Sequence, residues 1–530
     1  MATQFGRKLA CELIFSHFGE SVQKVCKSLV YHGQLSLPEI AHYTEMSTTQ
    51  IHNSLLVLVQ HSCIQAFKVE HGGIGSAPPR VLTLYIALTD NILHRMRFPK
   101  FLVLVKEDVG DQAEALVEGL LEHGRLTLEQ LIQQAAALAG KAEGEVATVV
   151  KDCFQRLLAN HYIERCPVPE PSLCPNIAVE PAKKTACGAE GQGASLLAAN
   201  GAISEEQRIM SAAAPTDAER FQAPVSLISM GGTHTEMGGS NPVGQKRKRE
   251  ALQIDAKTAT AAAMDEKEVL WRVNYEEFVR RLRHQACVAL VRSRIDAMAG
   301  TVLEGMLDAT CRHETSVKQH SSVPMSIEII MDSVRNLQLG QGMTVERLQV
   351  GLQQLVSDSA ASLSPDLHKI IELLRQNEVE GIVLQRYGQE CCRIFRLLGL
   401  NGQLEQKQIG ERAMVPKDVR ELLYRLLKDH YVQVQEVAKT AERVASKSIH
   451  LWCVDNQAVL HQVLDDIYHA ASNLSQRLAH ELEKEQQIHV PNANLTNSQQ
   501  EQVKRIQSIM TVLEASLLKL DNAMLLFHDF

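Results

Sequence analysis

The chain has 530 residues, too many for one hydrophobic core, and at about 150 residues per domain it should divide into three to five units. It is 45% hydrophobic and only 4% aromatic, which suits helical modules packed with Leu, Val and Ile better than a large β-sandwich. A net charge of −8 excludes a protein that grips nucleic acid alone with most of its surface, so any such contact is local or supported by partners.

From the N-terminus, apolar spacing predicts an amphipathic helix over 5–18, with Leu9, Leu13 and Ile14 toward a core. A second helix over 20–31 runs through Val22, Val25, Cys26 and Leu29. Then comes a phrase, His32-Gly33-Gln34-Leu35-Ser36-Leu37, that the chain repeats. It returns as His123-Gly124-Arg125-Leu126-Thr127-Leu128 and, more loosely, as Asn401-Gly402-Gln403-Leu404-Glu405-Gln406. Each copy leads into a helical stretch and a strand-like exit, the exits starting near Leu55, Phe154 and Leu422. Gly33 to His61 and Gly402 to His430 each span 28 residues, while Gly124 to His161 spans 37, so the middle copy carries nine more. Helix, short extended Gly-x-Leu, helix, turn, helix and strand is the order of a winged helix-turn-helix.

Within the first copy Ser36 is placed to cap a helix, with Pro38 in the first turn where its missing N–H costs nothing. The helix over 47–60 is the recognition helix, and the stretches 64–70 and 81–86 form the wing around Gly72-Gly73-Ile74-Gly75. That tip is read as a hairpin loop and not a phosphate cradle, because no helix follows it closely. The second module runs over 111–166. Between Pro167 and Asp265 lie half of the chain's 16 prolines, the composition of a linker that cannot bury a core. Inside it, Lys246, Arg247, Lys248 and Arg249 form a basic tetrad of the nuclear-import kind.

Structure is expected to resume near Glu266. A long helical stretch over 275–299 carries Arg280, Arg281, Arg283, Arg292 and Arg294; with Arg272, six arginines against Glu276 and Glu277 leave +4 between Trp271 and Ile295. This local excess is a candidate phosphate or partner surface, and charge reversal at Arg280, Arg281 and Arg283 should weaken function without unfolding the protein. Helices over 326–337 and 344–357 suggest a third, diverged module without the Gly-x-Leu phrase. A fourth occupies 386–437. Beyond it, Leu460, Leu464, Ile467, Ala471, Leu474 and Leu478, then Val503 through Phe527, keep alternating spacings of three and four, the seam of a coiled coil. The loop over 490–494 and the Ser498/Glu501 capping signature fold the two helices into an antiparallel hairpin.

The recognition helices should expose the residues that touch nucleic acid. Module one offers Thr48, Thr49, Gln50, His52 and Asn53, and module four offers Lys417, Arg420, Arg425 and Lys428, a set suited to phosphates more than base edges. No catalytic constellation is expected. His61, His161 and His430 recur at the exits, but each lies in a separate module with no common acidic neighbour, so they read as helix-end contacts. There is no Walker A phrase and no His-Glu-x-x-His. The 12 cysteines form no C-x2-C pair, so neither a metal nor a cofactor is expected, and they read as reduced intracellular residues. No apolar run of about 18 residues exists to span a membrane.

The stretch from Cys391, CCRIFRLLGLNGQLEQKQIGERAMVPKDVRELLYRLLKDHYVQVQ, resembles the fourth winged helix of the RNA polymerase III subunit C3 family. The N-terminal stretch CELIFSHFGESVQKVCKSLVYHGQLSLPEI and the phrase Arg95-Met96-Arg97-Phe98-Pro99-Lys100-Phe101 are similar to the same family. The resemblance spans 1–166 and 266–530. It implies a mainly α fold with small β-wings: four tandem winged helices followed by a C-terminal antiparallel coiled-coil hairpin. The expected divisions are 1–108 for the N-terminal helix and winged helix 1, 109–166 for winged helix 2, 167–265 for a disordered linker, 266–380 for winged helix 3, 381–454 for winged helix 4 and 455–530 for the hairpin. It further implies a nuclear, non-catalytic subunit mounted on the polymerase clamp within an initiation heterotrimer. The role would be recruitment through TFIIIB and opening of promoter DNA for small RNAs such as tRNA and 5S rRNA. The coiled-coil hairpin is shorter here than in several relatives. Two other readings are a general factor of the TFIIE type, against which the missing zinc-ribbon cysteines count, and a winged-helix scaffold of a non-transcriptional complex.

Overall fold

In the computed structural model, the described residues are 3–71, 80–140, 143–173, 205–224, 269–310, 325–340, 342–355, 366–413, 419–438, 448–488 and 497–530. They form two units, Ala10–Tyr275 and Met1–Leu9 with Glu276–Phe530. Helix α1 (Gln4–Phe18) gives residues to both.

The first module follows the expected order: α2 (Glu20–His32), β1 (Leu35–Ser36), α3 (Leu37–Thr44), α4 (Thr48–Gln60), β2 (Ile64–His71) and β3 (Arg80–Ala87). The repeated phrase now has a physical account. Gly33 ends α2 with φ 83°, its N–H bonded to the Leu29 carbonyl. Two residues on, the buried Leu35 pairs across β3 with Tyr85. Ser36 then caps α3 in a reciprocal box, the Ser36 N–H donating to Glu39 Oε2 at 2.7 Å. The wing pairs antiparallel from Ile64↔Ala87 to His71↔Arg80. The tip over 72–75 lies outside the described residues.

Next come α5 (Thr89–His94), a 3-10 turn (Arg95–Arg97) and α6 (Phe98–Asp108), in which Arg97 and Phe101 are fully buried. The second module follows with α7 (Asp111–His123), α8 (Leu128–Ala139), α9 (Glu143–Ala159) and β4 (Ile163–Arg165). Its phrase repeats the pattern: Gly124 has φ 83°, Leu126 pairs with Trp271, and the Thr127 N–H donates to Gln130 Oε1 at 2.9 Å.

That pairing corrects the expected boundary at residue 166. The strand that completes module two is β6 (Trp271–Val273), antiparallel to β4 from Ile163↔Val273 to Arg165↔Trp271. Residues 166–270 are therefore an insertion between the two wing strands, and not a connector between modules. Nor is the insertion featureless. Its first residues form β5 (Ser172–Leu173), which adds parallel to β2 of module one at Lys68↔Ser172 and Val69↔Leu173. Gln65 Nε2 donates to the Val168 and Pro169 carbonyls at 3.0 Å each. Further on, α10 (Glu205–Ala213) buries Ile209 and Ala213, and α11 (Asp217–Arg220) follows. Arg220 pairs with the buried Glu164 of β4, which Arg272 of β6 also holds at 2.8 Å. Composition alone misses these described segments, because a few apolar residues and one ion-pair cluster suffice when the surface they dock on is already folded.

The second unit opens with α12 (Tyr275–Arg294). Helices α13 (Ala297–Thr310), α14 (Ile327–Asn336) and α15 (Val345–Leu355) share a core of Val302, Met306, Ile330, Val334, Leu348 and Leu352. No strand occurs among the described residues of this stretch. The long α16 (Leu367–Tyr387) leads to the module-four elements: α17 (Gln389–Asn401), β7 (Leu404–Glu405), α18 (Gln406–Ala413), α19 (Val419–Lys428), β8 (Gln433–Ala438) and β9 (Ser448–Cys453). The sheet order β7-β9-β8 matches β1-β3-β2 of module one. Here Gly402 has φ 75°, Leu404 pairs with Trp452, and the Glu405 N–H donates to Gln408 Oε1 at 3.2 Å.

Finally α20 (Asn456–Ile488) and α21 (Asn497–Met524) pack along each other, joined by a hydrogen bond of 2.9 Å from Gln507 Nε2 to Glu485 Oε1. Leu464, Ile467, Ala471, Val503 and Ile506 of the predicted seam are buried, and Leu474 and Leu478 are half-buried. The connecting loop lies outside the described residues. A closing π-helical turn (Leu525–Asp529) packs Leu525 on Val279, and its Leu526 carbonyl accepts from Arg375 Nε at 2.9 Å.

Candidate nucleic-acid interface

The three recognition-position helices differ in what they turn outward. In α4 Ile51, Leu55 and Leu58 face the core, and Thr48, Thr49, Gln50, His52 and Asn53 are exposed. Gln50 is partly used by the fold, because its Oε1 accepts the Ser47 N–H at 3.3 Å in the cap of its own helix. Asn53 stays outward. This face has hydrogen-bonding groups and no cation.

Module four is different. Val419, Leu422, Leu423 and Leu426 are buried at helical spacing, which turns Arg420, Tyr424, Arg425 and Lys428 to solvent. The Arg420 guanidinium lies 5.6 Å from the centre of the Tyr424 ring, and that ring meets Trp452 of β9 edge-on at 5.8 Å. Arg425 stands 3.9 Å from Glu421, a loose surface pair that leaves its charge available. Three cations beside a half-exposed aromatic can neutralise phosphates and stack a base. Lys417 lies outside the described residues, as do Lys246, Arg247, Lys248 and Arg249. Tyr424 and Trp452 were missed in the sequence, although Tyr424 sits one turn from Arg420 on the same face.

The arginine-rich helix α12 requires a correction. Arg280 and Arg283 are buried. Glu277, itself buried, takes an ion pair from Arg280 and a second from Arg281 at 2.8 Å. Arg283 Nη2 lies 3.3 Å from His284 Nε2. Arg292 pairs with Glu304 at 2.5 Å, and Arg294 bonds the Asn377 side chain. All five thus meet other side chains of the fold, so the +4 excess is not an open phosphate surface. Reversing Arg280 or Arg283 would bury an uncompensated carboxylate and unfold the helix's surroundings.

The recurring histidines are helix-end residues of a particular kind. His161 and His430 have φ of 60° and 61°, in the left-handed region. The His161 N–H bonds the Leu158 carbonyl and Tyr162 N–H the Leu157 carbonyl, and His430 and Tyr431 repeat this with Leu427 and Leu426. These are Schellman closures. In module one the left-handed position is Ser62, φ 55°, with Ser62 and Cys63 N–H bonded to Val59 and Leu58. His61 is thus one residue out of register with the other two. Burial, then the nearby Arg95 charge, lowers its pKa to about 4. Among the described residues no group of three or more His, Cys, Asp or Glu is arranged to hold a metal.

Modules of this order, one with a cationic and aromatic recognition helix, define a tandem winged-helix protein. Known proteins agree. Residues 8–69 match the RNA polymerase III subunit RPC82 helix-turn-helix domain, residues 152–364 match the RNA polymerase III subunit RPC82 family, and residues 379–454 match the POLR3C C-terminal winged-helix domain. The DNA-directed RNA polymerase III subunit RPC3 of Homo sapiens is 26% identical over 544 residues, covering 98% of this chain and 93% of the relative. That of Danio rerio is 27% identical over 533 residues, covering 96% and 92%. That of Dictyostelium discoideum is 23% identical over 667 residues, covering 99% and 100%. The chain belongs to the RNA polymerase III subunit C3 family.

Proposed function

We propose that the chain is a non-catalytic subunit of nuclear DNA-directed RNA polymerase III, acting in transcription initiation. The observation that carries this is end-to-end similarity: a relative named as that subunit aligns over 98% of the chain, so the likeness runs along the whole chain and not over one generic module. In this reading the chain sits with its heterotrimer partners on the clamp, helps recruit the enzyme through TFIIIB and helps open promoter DNA for tRNA and 5S rRNA synthesis. Four winged helices and a C-terminal coiled-coil hairpin are its working parts, and the basic tetrad Lys246–Arg249 serves import. The net charge of −8 suits a subunit that touches DNA already held by a larger enzyme, where effective concentration is high.

Within that role the exposed face of α19 is the proposed nucleic-acid contact, with Arg420, Arg425 and Lys428 on phosphates and Tyr424 stacking. Gln50 and Asn53 of α4 are secondary candidates. The test is purification of polymerase III through a tag on this chain, carrying Arg420→Glu, Arg425→Glu and Lys428→Glu together. The altered enzyme should assemble normally and lose about tenfold or more of promoter-dependent transcription, with the loss largest at low salt and narrowing as salt screens the wild-type contacts. A tagged chain that brings down no polymerase III subunit would refute the assembly; full transcription from the altered enzyme would refute the contact.

A further inference from the structure

We infer that module two is a protein-docking module, whose partner is an amphipathic helix with an apolar stripe flanked by Lys or Arg. The observation is a trough of about 780 Å³ on α7, α8 and α9, the three helices that a winged helix ordinarily packs closed. Small residues open it: Ala115 and Gly119 on α7, and Ala135 and Ala137 on the alanine-rich α8. Its floor is apolar, from the buried Leu116, Leu131, Val150 and Cys153. Its walls expose large apolar groups that a solvated helix does not need, with Leu138 82% and Val149 40% accessible.

Charge identifies the occupant. Glu118, Glu122 and Glu145 line the trough and are exposed, and no Lys or Arg does so among the described residues. Such a rim repels phosphate, so nucleic acid is disfavoured although α9 holds the recognition position. A second copy of this chain, docked trough to trough, would set glutamates against glutamates. A helix with apolar side chains one turn apart fills the floor and walls, and cations on its flanks meet the rim. The inference stands on this geometry and does not rest on the polymerase reading.

The test uses the purified full-length chain and a fluorescent helical peptide of about four turns, with leucines at helical spacing and lysines on the flanks. Fluorescence polarisation should show saturable binding. Leu138→Glu with Val149→Glu should weaken it about tenfold or more, as should Glu118→Lys with Glu122→Lys. The second pair should instead bind the same peptide carrying glutamate flanks. All four positions are exposed, and unchanged thermal unfolding checks that the variants fold. Equal binding by wild type and variants, or by a peptide whose leucines are serines, overturns the inference. So does saturable binding of single-stranded DNA that the Leu138 and Val149 changes remove, or concentration-dependent self-association that they abolish.

Discussion

A methyl group added to the repeated glycine meets a different obstacle in each copy. At Gly402 and Gly33 nothing lies within 4 Å of the added Cβ, so alanine meets only the left-handed backbone, at about 1 kcal/mol. At Gly124 the same Cβ would overlap the carbonyl of Gln60, the last residue of α4, whose amide clamps the His123 and Arg125 carbonyls at 2.9 and 2.6 Å. Backbone must move there, so Gly124→Ala should lose about 2–4 kcal/mol in chemical unfolding, and Gly402→Ala clearly less. Equal losses would mean that the clamp yields. His61 gives a pH dependence from the same region. Its folded pKa is lowered from 6.5 to about 4 by burial and then by Arg95, so the unfolded chain takes up its proton first. Stability from this group is complete above about pH 6.5 and falls as pH drops toward about 4. Discounted for a half-buried ring, the share is about 1 kcal/mol near pH 5. Thermal unfolding at about pH 7.5 and 5 should show His61→Phe, which keeps the contact with Phe18, to be the less acid-sensitive protein.

At the scale of elements, the wing insertion of module two is held by few groups, and each can be tested. Arg220 joins α11 to Glu164 and to the Asn274 side chain at 3.3 Å, while His161 stacks on Phe221 at 4.0 Å. Arg220→Ala leaves Glu164 neutralised by Arg272, so the β4–β6 pair should persist while residues 205–224 loosen. Amide hydrogen exchange over 205–213 should then quicken by about tenfold, for a charged hydrogen bond lost, with no change in β4. Unchanged exchange would assign the docking to Ile209 and Ala213 alone. The sequence made the winged-helix order legible because it is written locally: a glycine that stops a helix, a leucine that starts a strand and a capping pair three residues apart. The same local reading placed Arg420, Arg425 and Lys428 correctly on an exposed face. It could not show that Arg280 and Arg283 are buried, because burial depends on residues far along the chain. Nor could it show that Trp271 belongs to a strand pair begun at Ile163, since period and propensity carry no information about partners about a hundred residues away.

For the whole molecule, the consequence is that the first unit is closed by its last residues. Trp271 is 1% exposed, meets Phe154 edge-on at 5.1 Å and exchanges hydrogen bonds of 2.8 and 3.1 Å with Leu126. Tyr275, at the unit's end, packs among His94, Phe98 and Phe101, and burial raises its pKa to about 12. A fragment ended at residue 166 keeps every helix of module two and loses this strand and both aromatics. Burying one large aromatic is worth about 3–5 kcal/mol, a large part of the roughly 5–15 kcal/mol that holds a domain together. The fragment over 10–166 should therefore unfold at much lower denaturant than that over 10–275, or aggregate on expression. Within the longer fragment, Trp271→Ala should reproduce most of the loss, because the pairing and the ring act at one residue. Cleavage at a protease site engineered into 174–204 should have the opposite outcome. The strand pairs that cross the cut are intact, so the two pieces should elute together under native conditions and separate only in denaturant. Similar stability of the fragments over 10–166 and 10–275, or separation of the cut pieces without denaturant, would show that module two does not need its distant strand.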